Sequence, residues 1–451
     1  MTLQCVSILL AASLAASATE TSPLDPGSPT SSNLLLMDRL REVAGEMPSW
    51  WKLGMEIRGR AESFQGYPGL PGGGDSYYLH RVRLDSTFTI LPWVHVFTEL
   101  QDSRAPGYER RPVPGSVVNT LDLRMAYVEL GNTGEQPWSL RVGRQPLIFG
   151  DMRVVSTSNW SNAGPAFDAV RITRKMPRAK LDLFASLVVV PCVGVDRPRY
   201  DKKLHGFHAT ITPFKSDRYK PMASVDLYSF WKSNLKTVDE LGHPGKENIF
   251  TYGLRGVGKA GNGFDYNVEM LLQRGTIAQT PLAAWGGHWE LGRQLGVSRK
   301  MPRLWLEYNF SSGDRNASDG RRQTLEQLYP SPYSVVGRAG DFASRNLLEP
   351  LAGAEWQATS RWKFRATYRA FWVANVHDSL YSLSGGVFAS QPHATSRRVG
   401  EEGGLWAIFQ TTKRLQFWLG YANLTAGPYL KQAGRPDSIR YPYAMWTYTI
   451  L

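Results

Sequence analysis

Arginine carries most of the chemistry this sequence offers. Read at every second position, guanidinium groups fall on one side of several segments: Arg58 and Arg60, Arg81 and Arg83, Arg365 and Arg369, with Arg124 and Arg141 placed alike on two more. A guanidinium is planar, keeps its charge at any ordinary pH and grips a carboxylate or phosphate through two parallel hydrogen bonds. Rows of it therefore suit recognition of anions better than proton transfer. The acids expected on the same faces, Glu56, Asp85, Asp122 and Glu269, are candidates to pair with some of these arginines. The chain as a whole still carries 52 Lys and Arg against 39 Asp and Glu, a net charge of +13.

Catalytic patterns do not appear. There is no HExxH, GxSxG, P-loop or CxxC, so neither an enzyme nor a bound cofactor or metal is expected. His205, His208 and His288 read as wall or loop residues. Glu401 and Glu402 are adjacent on a strand and point to opposite faces, which rules them out as a carboxylate pair. The segment GDRNASDG sets Asp314, Asn316 and Ser318 at the spacing of a calcium loop. Its glycine comes one position late and no acid closes the twelfth position, so a polar turn is the better reading.

The elements that must hold these side chains alternate with a period of two. Trp51, Leu53, Met55 and Ile57 oppose Lys52, Glu56, Arg58 and Arg60; Val82, Leu84, Phe88 and Ile90 oppose Arg81, Arg83, Asp85 and Thr87. The pattern recurs over 264–273 and 362–372. A soluble sheet with one wet face gives the same alternation, and the links separate the two cases. Short links at 91–92, 131–136, 176–178, 259–262, 359–360 and 411–412 alternate with long ones at 103–118, 147–166, 190–203, 232–247, 312–345 and 374–399. Loops that are long on one side only belong to transmembrane barrels. The expected fold is thus all-β: a transmembrane antiparallel β-barrel of about 18 strands, over residues 51–451, with both chain ends on the short-turn side. Aromatic residues, with 15 Trp and 20 Tyr, suit the two membrane interfaces.

At the N-terminus, Val6 to Ala16 is an apolar run followed by Ala16-Ser17-Ala18, which reads as an export signal over 1–18. Cys5 precedes the run, which disfavours a lipoprotein. Residues 19–50 read as a flexible leader with one amphipathic turn. Cys192 is then the lone thiol of the mature chain and is expected to be partly buried. Export argues against nucleic acid as a partner, and the expected partners are outer-membrane lipid and the barrel assembly machinery.

Two long segments go beyond pattern. GRQPLIFGDMRVVSTSNWSNAGPAFDAVRI, residues 143–172, closely resembles the signature of the alginate export family of outer-membrane porins, and SGDRNASDGRRQTLEQLYP with RNLLEPLAG resembles a second block of that family. The resemblance implies an 18-stranded monomeric barrel with an arginine-rich, electropositive lumen, of the kind that passes an anionic polysaccharide to the cell exterior. It adds Arg144 and Arg153 to the pore-lining set, and makes Asp151, Trp160, Asn162 and Asp168 candidates for an inward-folded constriction loop. The tail departs from the usual terminal Phe, keeping its alternation in Trp446, Tyr448 and Ile450. The expected function is an outer-membrane channel for anionic solutes, with export of a polysaccharide such as alginate or uptake of a small organic anion as its forms. A surface adhesion barrel with a plugged lumen is the alternative.

Overall fold

The computed structural model describes residues 48–450 except 68–72, 111, 132–136, 213–223, 240–241, 297–300 and 332–335. The signal and nearly all of the leader expected from the sequence lie outside the described residues. The first half of the barrel is β1 (Trp51–Gln65), β2 (Gly74–Leu91), β3 (Val94–Arg104), β4 (Asn119–Gly131), β5 (Trp138–Gln145), β6 (Ala166–Met176), β7 (Ala179–Val189), β8 (Pro198–Ile211) and β9 (Ser224–Val238). The second half is β10 (Pro244–Lys259), β11 (Phe264–Ile277), β12 (Thr280–Gln294), β13 (Arg303–Ser311), β14 (Leu347–Gln357), β15 (Trp362–Val373), β18 (Arg398–Gln410), β19 (Leu415–Ala426) and β20 (Ile439–Ile450). A small hairpin, β16 (Leu380–Tyr381) and β17 (Val387–Ala389), and one helical turn, α1 (Pro428–Gln432), sit in the last two long loops.

Each barrel strand pairs antiparallel with its neighbours, and β1 pairs with both β2 and β20, closing an 18-stranded sheet. Closure leaves no edge, which is what a sheet in hydrocarbon requires. The outer face is apolar: Leu306 is 66% exposed and Leu405 61%. Aromatic rings gather at the short-turn ends, where Trp50, Trp51 and Phe88 stack and Trp362 stacks on Phe409. Such rings fit a membrane–water interface.

Three links on the long-loop side are short. The 232–247 segment, expected as a long loop, is mostly strand, with only 239–243 linking β9 to β10. Its polar composition misled because those residues face inward: Lys232 Nζ lies 2.6 Å from Glu247. Likewise β8 begins at Pro198, shortening the 190–203 loop, and β11 joins β12 through residues 278–279 alone.

The inner face is not uniformly polar. Leu147, Phe149 and Val155 pack against Phe167, Phe184, Leu204 and Phe230 of β6 to β9, and Phe342 packs on Phe371 and Phe388. Fully burying such side chains is worth roughly 1.5–3 kcal/mol each. Two long loops, 146–165 and 312–346, are therefore seated inside the barrel by hydrophobic packing.

Candidate functional site

The 146–165 loop touches β1, β2, β10, β11, β13 and β20, a span of contacts that only a segment crossing the lumen can make. Its tip rests on a cluster of four arginines. Arg58 donates from Nη1 to the Asn159 carbonyl (2.7 Å) and from Nη2 to the Ser161 carbonyl (2.9 Å); Arg60 donates to the Trp160 carbonyl (2.6 Å). Arg81 reaches the Asn159 and Ser161 carbonyls at 3.1 and 3.0 Å, and Arg83 the Asn159 Oδ1 at 2.8 Å. Register explains the cluster, since β1 and β2 pair Arg58 with Arg81 and Glu56 with Arg83 on one inward row. Trp160 lies under two guanidinium groups, Arg60 at 4.2 Å and Arg338 at 3.9 Å from the ring centroid, with Tyr443 edge-on at 5.2 Å. Asn162 is buried and its Nδ2 donates to the carbonyls of His80, Arg104 and Val117.

The base of the same loop is held from the opposite wall by Glu307, Asn309 and Asn267. Arg153 contacts Asp151 (3.0 Å), Glu307 (3.0 Å) and Asn309 (3.2 Å), while Asn267 donates to Asp151 at 2.9 Å. Burial pushes the Asp151 carboxyl up, and Arg153 and Arg255 outweigh that and hold it below its ordinary range. Asn309 passes the network on to Glu349, which Arg369 engages at 2.5 Å. The two inward loops are zipped together as well: Ser156 N donates to Tyr329 O (2.6 Å), Tyr329 N to Val154 O (3.0 Å) and Ser331 N to Met152 O (2.8 Å).

A closed 18-strand barrel with a loop bridging its lumen narrows the choice of families, and the alginate export family profile matches residues 49–443. The chain belongs to the alginate export family. Among solved structures it resembles outer-membrane channels of Pseudomonas aeruginosa. OccK11 (OpdR) is 11% identical with a TM-score of 0.59, over 89% of this chain and 96% of that one. OccK2 (OpdF) in complex with glucuronate is 11% identical with a TM-score of 0.58, over 89% and 98%. OpdK with vanillate is 10% identical with a TM-score of 0.58, over 88% and 98%. No curated protein matches the sequence. Family and fold are those of transport channels, and the chain is an outer-membrane β-barrel of the bacterial envelope.

In this alginate export barrel the residues singled out from sequence fall into separate groups. Arg58, Arg60, Arg81 and Arg83 come together at the loop tip. Arg124 pairs with Glu99, which lies 3.8 Å from Arg83, and Arg141 pairs with Glu129 while covering Tyr127. Arg153 and Asp151 form the loop base, and Arg369 belongs to the acid network there. Arg365 is exposed on an inward position, 4.9 Å over the Trp305 ring.

Arg144 and Asp168 do not fit the expected set. They pair with each other at 2.8 Å and share the strand parity of Val142 and Val170, which are 44% and 46% exposed on the outer face. Asp168 thus lies on β6 and not in the constriction loop. The strand alternation runs on through Gly143 to Arg144, so the ion pair sits on the outside of the wall, where the Asp196 carbonyl also accepts from Arg144 (3.3 Å).

Cys192 is exposed, not partly buried. The Asp314 segment is a series of polar turns, Asp314 accepting from Asn316 N and Asn316 from Ser318 N. Arg338, Glu307 and Glu349 were missed. The last two follow the inward parity of β13 and β14; Arg338 has no such signal, because its place depends on a loop folding back.

Proposed function

We propose that this outer-membrane channel favours anions, and that its solutes carry carboxylates of the uronate type, as single sugars or as a polysaccharide such as alginate. The observation that supports this reading most is the guanidinium cluster at the crossing loop. Among the described residues these four arginines and the neighbouring Arg124 face three carboxylates within 4 Å, Glu56, Glu62 and Glu99, so positive charge is in surplus where the loop crosses the lumen. Fixed charge lowers the barrier for counter-ions and raises it for co-ions, while neutral hydrogen-bond partners nearby keep binding weak enough for release. The glucuronate complex of the structural neighbour OccK2 is in keeping with this chemistry. Apolar outer faces run from β2 to β19, which suits a monomer in lipid inserted by the barrel assembly machinery.

The test is reversal potential in planar bilayers under a salt gradient. Anion preference is expected, and Arg81→Ala with Arg83→Ala should reduce it by several fold. Cation preference unaffected by those changes would overturn the reading. A complete lack of conductance would favour the plugged adhesion barrel, which the two packed lumenal loops make worth testing.

A further inference from the structure

The arginine cluster is nearly sealed. Arg58 is 4% exposed, Arg81 0% and Arg83 7%, and what covers them is the 157–162 lobe of the crossing loop. Among the described residues Arg58 meets no carboxylate; its donors go to the carbonyls of Asn159, Trp160 and Ser161 and to Asn162 Oδ1. Two further donors, Arg58 Nε and Arg83 Nη2, are buried without a partner. Buried charges are ordinarily paired, and those that are not raise the free energy of the state that holds them. Each lobe oxygen is a neutral acceptor, whereas a carboxylate would bring a full negative charge and two oxygens that match the guanidinium fork.

We propose that the face formed by Arg58, Arg81 and Arg83 is a carboxylate-binding site that the lobe itself occupies, its carbonyls and Asn159 Oδ1 standing where solute oxygens bind. A carboxylated solute arriving in the lumen takes these donors and displaces the lobe, which swings on the segment between Val155 and Gly164. The site thereby couples occupancy to opening. The inference rests on the anion-channel reading and adds to it that the constriction moves.

The experiment uses the full chain in lipid vesicles, with Cys5 and Cys192 replaced by Ser and Ser161→Cys as reporter. The rate of labelling by a small thiol reagent is followed with galacturonate, galactose or sodium chloride at matched ionic strength. Galacturonate is expected to speed labelling about threefold or more, and the other two to leave it unchanged. Asn159→Asp, which ties a carboxylate onto Arg81 and Arg83, should abolish the galacturonate effect. Labelling that galacturonate leaves unchanged or slows would overturn displacement. The reversal potential of the same reporter protein keeps the two readings apart: an anion-preferring channel with insensitive labelling sinks displacement alone, and cation preference sinks the channel reading beneath it.

Discussion

Single side chains in this protein act by where they bring a loop. Trp160 is the clearest case, because Arg60, Arg338 and Tyr443 all meet its ring and tie the lobe to β1, β20 and the 312–346 loop at once. A cation–π contact is worth about 0.5–2 kcal/mol, so Trp160→Ala should loosen the lobe and give larger, noisier single-channel steps than wild type. Asp196 makes a second residue-scale case. Burial and the nearby Asp122 push its carboxyl up to about 6, despite hydrogen bonds from Cys192. The folded state therefore binds its proton more tightly than the unfolded one, and stability falls as pH rises from about 4 to about 6, staying low above that. Asp196→Asn should slow protease nicking of the 190–197 loop relative to wild type at pH 7, with little difference between the two at pH 4. The arginines were legible at this scale because parity alone puts them on a face; their partners were not, since Asn159 and Trp160 sit about 100 residues away along the chain.

Among elements, strands were easier to foresee than loops. Alternation shows a strand wherever one face meets lipid and the other water, as in β1, β2 and β15. It fails where a loop packs inside, because the inward face is then apolar too: Phe184, Val188, Leu204 and Phe230 lie under the crossing loop. The loop's own shape depends on a close approach that the sequence only hints at. A Cβ on Gly164 would come within 1.8 Å of the Thr157 carbonyl, so only glycine lets the lobe close on its base. Ser158 at the lobe's start takes a φ of 46°, a left-handed conformation that costs an L-residue energy and persists through the surrounding contacts. Gly164→Val should prise the lobe open at a cost of about 1–3 kcal/mol. Higher conductance with unchanged heat-modifiability of the barrel is the expected result; unchanged conductance would mean the lobe does not limit flow.

The whole molecule keeps two solvents apart with one sheet, and neighbouring residues on a strand should report opposite consequences. Leu306 faces outward between Leu291 and Ala352 on the flanking strands, while Glu307 faces inward to Arg153. An arginine at the lipid midplane costs about 2–4 kcal/mol, and a charge change in the lumen alters the field an ion feels. Leu306→Arg should lower the urea midpoint of the barrel in vesicles while leaving ion preference as it was in the fraction that folds. Glu307→Gln should do the reverse, shifting preference further toward anions with little change in the midpoint, because it removes a negative charge beside Arg153 and leaves the wall intact. If both substitutions moved stability and neither moved selectivity, the inward face would be a packed interior and not a conducting one. The barrel's surplus of positive charge would then serve only to seat its loops.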